Sequence, residues 1–154
     1  MIPIKTAEKI SILIADDDAD DRELIKAAFD QNSTQHNISF VENGEELLHY
    51  LKRNGHYADE TLHPFPQIIL LDLNMPKKDG REALRELKTD LILKSIPVIV
   101  FTTSMEEKDV VNSYELGVNS FIIKPVTYSG LVEFTRIVGK YWFEIAELPN
   151  VLMK

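Results

Sequence analysis

The feature that most restricts this chain's fold is a regular alternation of short apolar runs with stretches of helical spacing. The runs are residues 10–15 (ISILIA), 38–41 (ISFV), 67–71 (QIILL), 97–101 (PVIVF) and 119–123 (NSFII). Between them, Leu24, Ile25, Ala28 and Phe29 recur at helical spacing, as do Leu47, Leu48 and Leu51, and then Ala83, Leu84 and Leu87. Residues 106–116 read as a helix stopped by Gly117, and a last helix runs from Thr127 or Tyr128 to about Ala146. Runs this apolar belong to strands covered on both faces, as in parallel sheets. Strands alternating with helices through short links imply right-handed crossovers. The expected fold is α/β: a doubly wound five-stranded parallel sheet with helices on both faces. The longest irregular stretch, residues 54–66 (NGHYADETLHPFP), reads as a loop between the second helix and the third strand.

Composition supports one domain and narrows the function. The chain has 154 residues, 44% of them apolar, enough for a core in a single compact unit. A net charge of −8 opposes non-specific nucleic-acid binding and docking on anionic lipid, both of which need Lys and Arg. There is no cysteine, so disulfides, thiolate metal sites and cysteine nucleophiles are excluded. No apolar run reaches signal-peptide or membrane-span length, and the expected location is the cytoplasm.

Ligands of open α/β sheets bind beyond the carboxyl ends of the strands. Just past the first run stand Asp16, Asp17 and Asp18; past the third, Asp72; past the fourth, Thr102, Thr103 and Ser104; past the fifth, Lys124. The fold brings these distant positions to one rim. Crowded carboxylates repel one another, and a hard divalent cation relieves that conflict. Asp16, Asp17 and Asp72, with a nearby backbone carbonyl, are suitable Mg²⁺ ligands. One Asp72 oxygen is then free to attack phosphorus and form an acyl phosphate. Phosphoryl transfer needs mainly positioning and neutralised charge, which Mg²⁺, the Lys124 ammonium and the Thr102 hydroxyl supply.

Each element taken alone has a plainer reading. Acids after a strand favour a helix start. Asp72, Asn74 and Pro76 suit a turn. Thr102 and Lys124 suit ordinary loops. The histidines, His36, His49, His56 and His63, lack metal-ligand spacing and read as loop or helix-surface residues. The chemical reading rests on four separate strand ends that all carry the required groups.

At these residues the chain resembles the receiver domains of bacterial response regulators, which are CheY-like and share the flavodoxin-like fold. The matching segments are ILIADDD (12–18), LLDLNMPKKDG (70–80), PVIVFTTS (97–104) and FIIKP (121–125). The resemblance spans residues 8–146, leaving 1–7 as an N-terminal extension and 147–154 as a C-terminal tail. The long 54–66 loop, DLNMP, TTS before an acidic helix start and the late Tyr141-Trp142 pair are similar to single-domain regulators associated with phytochromes. The resemblance implies a two-component phosphorelay with a sensor histidine kinase as partner, of phytochrome type in that subgroup. It implies Asp72 as phosphoacceptor, Asp17 as direct Mg²⁺ ligand, Asp16 acting through metal-bound water and the Asn74 carbonyl as a third ligand. Thr102 resembles the switch hydroxyl, Lys124 the phosphate-binding lysine and Phe121 the aromatic switch residue. A cis Lys124–Pro125 peptide is also implied.

Thr103 departs from the smaller residue common in the family, and its methyl crowds the approach to phosphorus. No output domain fits within 147–154, so output is expected through protein contacts, including a homodimer through the fourth helix, fifth strand and fifth helix. Leu131, Phe134, Val138, Tyr141, Trp142 and Ile145 form the expected core stripe of the last helix, with Val132 and Phe143 off it and available to a dimer. Two other classes compete. A haloacid-dehalogenase-like phosphatase also uses an Asp after a strand, but its DxDx[TV] pattern is not met by Asp72-Leu73-Asn74-Met75-Pro76. A flavodoxin-like FMN binder would hold a flavin on the same fold, and a non-phosphorylated pseudo-receiver would use the fold only for docking.

Overall fold

Five parallel strands form one sheet in the order β2-β1-β3-β4-β5, in a computed structural model that describes residues 9–32 and 36–149. The strands are β1 (Ser11–Ala15), β2 (Asn37–Val41), β3 (Ile68–Leu71), β4 (Val98–Thr102) and β5 (Ser120–Ile123). The helices are α1 (Ala19–Gln31), α2 (Gly44–Leu51), α3 (Gly80–Thr89), α4 (Glu107–Leu116) and α5 (Tyr128–Val138). The doubly wound fold expected from the alternating pattern is therefore present. Strand limits differ from the apolar runs by a residue or so, because pairing rather than hydropathy sets them: Thr102 is the last paired residue of β4. The expected extension at 1–7 and the tail beyond Pro149 lie outside the described residues.

Alternate strand residues feed two cores. Leu13, Ala15, Ile69, Leu71, Val98 and Val100 point to one, closed by Leu47 and Tyr50 of α2 and Leu84 and Leu87 of α3. Ile12, Ile14, Ile68, Leu70, Ile99 and Phe101 point to the other, closed by Ile25 and Phe29 of α1 and Leu131 of α5. This is the period-two geometry of a strand buried on both faces. β1, β3 and β4 are buried along their whole length, while the edge strands β2 and β5 are only partly covered.

Local chemistry starts and stops the helices. The Asp18, Asn43, Asp79 and Thr127 side chains each accept from backbone N–H groups in the first turn that follows. Such caps are worth about 1 kcal/mol each. Gly117 ends α4 at φ +104°, a left-handed conformation that costs glycine nothing. Gly80 is required for a different reason: a Cβ there would sit 2.1 Å from the Asp72 carbonyl oxygen. The α3 N-terminus can thus press directly against the end of β3.

The last helix departs from the expected pattern. After Val138 it widens into a π-helical segment, Gly139–Ile145, with an i→i+5 bond from Ala146 N to Tyr141 O of 2.7 Å. The longer repeat rotates the buried face, so Phe143, five residues after Val138, enters the core at 4% exposure. Tyr141 is instead 52% exposed. Phe143 packs at a tilt against Phe29 and His36 and is not available to a dimer surface. Leu24 lies in α1 but is exposed; the α1 core residues are Ile25, Ala28 and Phe29.

Candidate functional site: an acidic pocket at the strand ends

β1 pairs with β2 on one side and β3 on the other, so the chain reverses its direction of travel across the sheet between β1 and β3. Crevices form at such switch points beyond the carboxyl ends. Asp16 and Asp72 are the first residues past those two strands. Their backbones extend the ladder, with Asp16 N bonded to Val41 O and Asp72 N to Ala15 O, both at 3.0 Å. Both side chains are therefore held by the sheet rather than by a loop. Asp16 and Asp72 are buried, and Asp17 is exposed at the mouth.

The predicted residues converge. One carboxylate oxygen from each of Asp16, Asp17 and Asp72 lies within 4.8 Å of the others. Lys124, directly after β5, donates from Nζ to Asp16 Oδ2 at 2.7 Å and to Asp72 Oδ2 at 3.0 Å. Thr102 Oγ1, at the end of β4, donates to Asp72 Oδ1 at 2.8 Å, and Asn74 N donates to the same oxygen at 3.2 Å. Thr103 is exposed beside Thr102. Phe121 is half-buried against the α3 side of the core, with its N–H donating to the Tyr114 hydroxyl at 3.2 Å. No peptide bond among the described residues is cis, so Lys124–Pro125 is trans, against the expected cis form. Trans is the intrinsically favoured isomer of an X–Pro bond.

The pocket carries more negative charge than it neutralises. Burial raises the Asp16 pKa, against the opposing hydrogen bond from Lys124. Burial also works against the Lys124 ammonium, but its bond to Asp16 and the charge of Asp72 outweigh this and hold its pKa above the ordinary lysine value. Carboxylates that share one ammonium and still pay for burial have room for a second cation. An all-oxygen donor set open to solvent at Asp17 suits a hard divalent ion. No histidine joins this group among the described residues; His36 instead accepts from Ile10 N through Nδ1 at 2.9 Å.

Two features escaped the sequence reading. Asp21 of α1 accepts from Lys124 Nζ at 3.0 Å. It stands in the first turn of α1, where an acid is also expected at a helix start. Asp109 of α4 receives a two-pronged bond from Arg81 of α3, both contacts 2.7 Å, and a third from Ser104 Oγ at 2.7 Å. Arg81 and Asp109 are 28 residues apart, and no spacing rule links them.

The profile of the response regulator receiver domain matches residues 12–136. The chain belongs to the response regulator receiver family. It is 38% identical over 141 residues to Response regulator Rcp1 of Synechocystis sp., covering 92% of this chain and 93% of that protein. The crystal structure of the phosphorylated cyanobacterial phytochrome response regulator RcpA superposes with a TM-score of 0.86 at 39% identity, over 93% of this chain and all of that one. The Mn²⁺-bound form of Rcp1 superposes with a TM-score of 0.82 at 37% identity, over 91% of this chain and 99% of that one. The receiver is thus a response regulator of the two-component type, and its Asp16, Asp17 and Asp72 pocket fits a phosphoacceptor site. Receivers of this family bind a divalent ion at such an acidic cluster and act with histidine kinases. The phosphatase and docking-only alternatives are not favoured. Among the described residues no helix is long and apolar enough to cross a membrane.

Proposed function

We propose that Asp72 accepts a phosphoryl group from the phosphohistidine of a sensor histidine kinase, and that the resulting acyl phosphate switches the receiver's contacts with other proteins. The observation that supports this most directly is a buried Asp72 whose two oxygens face Thr102 at 2.8 Å and Lys124 at 3.0 Å, with Asp16 and Asp17 within ligand reach. An Asp72 oxygen bonds to phosphorus as the donor's phosphorus–nitrogen bond breaks. The electron pair of that bond stays on the imidazole nitrogen, which takes up one proton from solvent. Lys124 holds an ammonium where charge gathers on the phosphoryl oxygens, and the Thr102 hydroxyl turns from Asp72 toward one of them. Asp16, Asp17, Asp72 and the Asn74 carbonyl would hold Mg²⁺, which adds positive charge to the same oxygens.

Thr102 then draws the β4–α4 loop inward and Phe121 repacks behind it, shifting the population toward a second arrangement of the α4–β5–α5 face. That face carries exposed Val111, Tyr114, Ile123, Ile137 and Tyr141 and a groove of about 460 Å³ lined by Ile122, Phe134 and Trp142. It supports a homodimer. A light-scattering mass of one chain, with and without beryllofluoride, overturns the dimer. Similarity to RcpA and Rcp1 over nearly the full chain supports a kinase of phytochrome type acting in the cytoplasm.

Incubation with acetyl phosphate and Mg²⁺ should add the mass of one phosphoryl group, released by hydroxylamine. Asp72→Asn should abolish the addition; undiminished labelling of that variant refutes the assignment.

A further inference from the structure

We propose that Arg81 and Asp109 are positioning residues for phosphoryl transfer, clasping the β4–α4 loop so that the Thr102 hydroxyl is held beside Asp72, within reach of the group that arrives there. The inference rests on the phosphoacceptor reading of Asp72 and adds two residues outside that site. Arg81 Nε and Nη2 grip both oxygens of Asp109, which is only 4% exposed. The guanidinium's remaining nitrogen, Nη1, reaches Leu73 O at 3.5 Å and Asn74 Oδ1 at 3.4 Å, the two residues that follow Asp72. On the other side, Asp109 Oδ2 also accepts from Ser104 Oγ at 2.7 Å. Ser104 N donates to Thr102 Oγ1 at 3.3 Å, and Thr102 Oγ1 donates to Asp72 Oδ1.

These contacts form a closed ring that leaves Asp72 along the chain through Asn74 to Arg81, crosses to Asp109, and returns through Ser104 and Thr102. An ion pair that merely joined α3 to α4 would need neither Ser104 nor Asn74. The loop's other side chains face solvent: of residues 103–106, Thr103, Met105 and Glu106 are exposed and Ser104 alone is half-buried. With Ser104 Oγ fixed by Asp109, the Ser104 N–H occupies a lone pair of Thr102 Oγ1. The hydroxyl proton is then left to point at Asp72. A bidentate Arg–carboxylate pair has the geometric stiffness such a role requires.

The test is the acetyl phosphate labelling rate, with Mg²⁺, of the full chain carrying Asp109→Asn, Arg81→Gln or Arg81→Lys. The first two should label about tenfold more slowly at saturating donor, since small misplacements of a positioned group carry large rate penalties. The half-saturating donor concentration should stay near the parent's, and Arg81→Lys, which keeps the charge but not the fork, should fall between. In a Thr102→Ala background, Asp109→Asn should cost nothing further, because the pair acts through Thr102. Rates within twofold of the parent, or losses that multiply in the Thr102→Ala background, overturn the inference. Amide exchange at Ser104, measured without any phosphoryl donor, should quicken in Asp109→Asn. If the parent chain itself takes no label, the phosphoacceptor reading falls, and unchanged Ser104 exchange would separately remove the clasp.

Discussion

Two clusters at the same rim of the sheet join buried carboxylate to cation, and they resolve the charge in opposite ways. At the pocket, Asp16, Asp21 and Asp72 share the Lys124 ammonium, and Asp17 lies beside Asp16 and Asp72. Burial there still raises the Asp16 pKa. Between α3 and α4, the Asp109 carboxylate takes both prongs of the Arg81 guanidinium, with Asp79 farther off at 3.7 Å. The Arg81 bond holds the Asp109 carboxyl at about 2, outweighing its burial. A matched pair spends its electrostatics on fixing structure. An unmatched cluster stores repulsion that another cation or an electrophile can relieve, so a carboxylate pushed up points to a functional site, whereas one pulled down by a structural ion pair does not. The contrast separates a reactive centre from a brace only a few residues away, and neither burial nor hydrogen bonding alone would do so.

The largest expected effect comes from removing the Lys124 ammonium. Lys124→Met should slow acetyl phosphate labelling by about 10²-fold or more, the usual penalty for losing a positioned charge-stabilising group. Labelling within tenfold of the parent would show that Lys124 is not the charge partner of the transferred group. A sharper test applies one substitution to both clusters. In EDTA at neutral pH, Asp109→Asn should destabilise the fold by about 2 kcal/mol, because it strips a charge-assisted partner from Arg81 and Ser104. Asp16→Asn should leave the fold unchanged or more stable by up to about 1 kcal/mol, since it lowers repulsion and the amide oxygen can still accept from Asp18 N. Urea midpoints read both signs. Equal losses in the two variants would break the distinction between centre and brace.

Much of the centre was legible because fold and chemistry point to the same places. Apolar runs ending at Ala15, Leu71, Phe101 and Ile123 mark strand ends, and an α/β sheet lines those ends up on one rim. Asp16, Asp72, Thr102 and Lys124 follow from that alone. Gly80 was legible within its motif, and its physical reason, the Asp72 carbonyl 2.1 Å from where a Cβ would lie, needs coordinates. The brace was not legible: Arg81 and Asp109 sit on separate helices, and only the packing of α3 against α4 brings them together. Asp21 is a first-turn acid of α1, and its reach to Lys124 was not legible because such an acid satisfies the helix dipole equally well with or without that contact. Phe143 was misplaced because hydrophobic periodicity assumes 3.6 residues per turn, and a π-helical segment breaks that count without an obvious sequence mark. The trans Lys124–Pro125 bond shows that an expectation drawn from resemblance, unlike one drawn from strand ends, carries no local physical constraint of its own.

The smallest and most discriminating effect is in the pH dependence of stability. Asp16 has a folded pKa above 3.8, so the folded state binds that proton more readily than the unfolded chain does. Its ionisation therefore costs stability at neutral pH, and the cost is relieved as pH falls through the raised folded value toward 3.8. Asp109 runs the other way. Its contribution is complete above 3.8 and is lost as pH falls from there toward about 2. Arg81 is 37% exposed, so solvent screening reduces the coupling and the expected change is about 1 kcal/mol. Urea unfolding in EDTA should show the Asp16→Asn variant's advantage over the parent shrinking between neutral pH and pH 4. The Asp109→Asn deficit should hold steady over that range and shrink only below it. If both variants track the parent in parallel across the whole range, the two carboxylates are equivalent, and the imbalance at the pocket is not what distinguishes it from the brace.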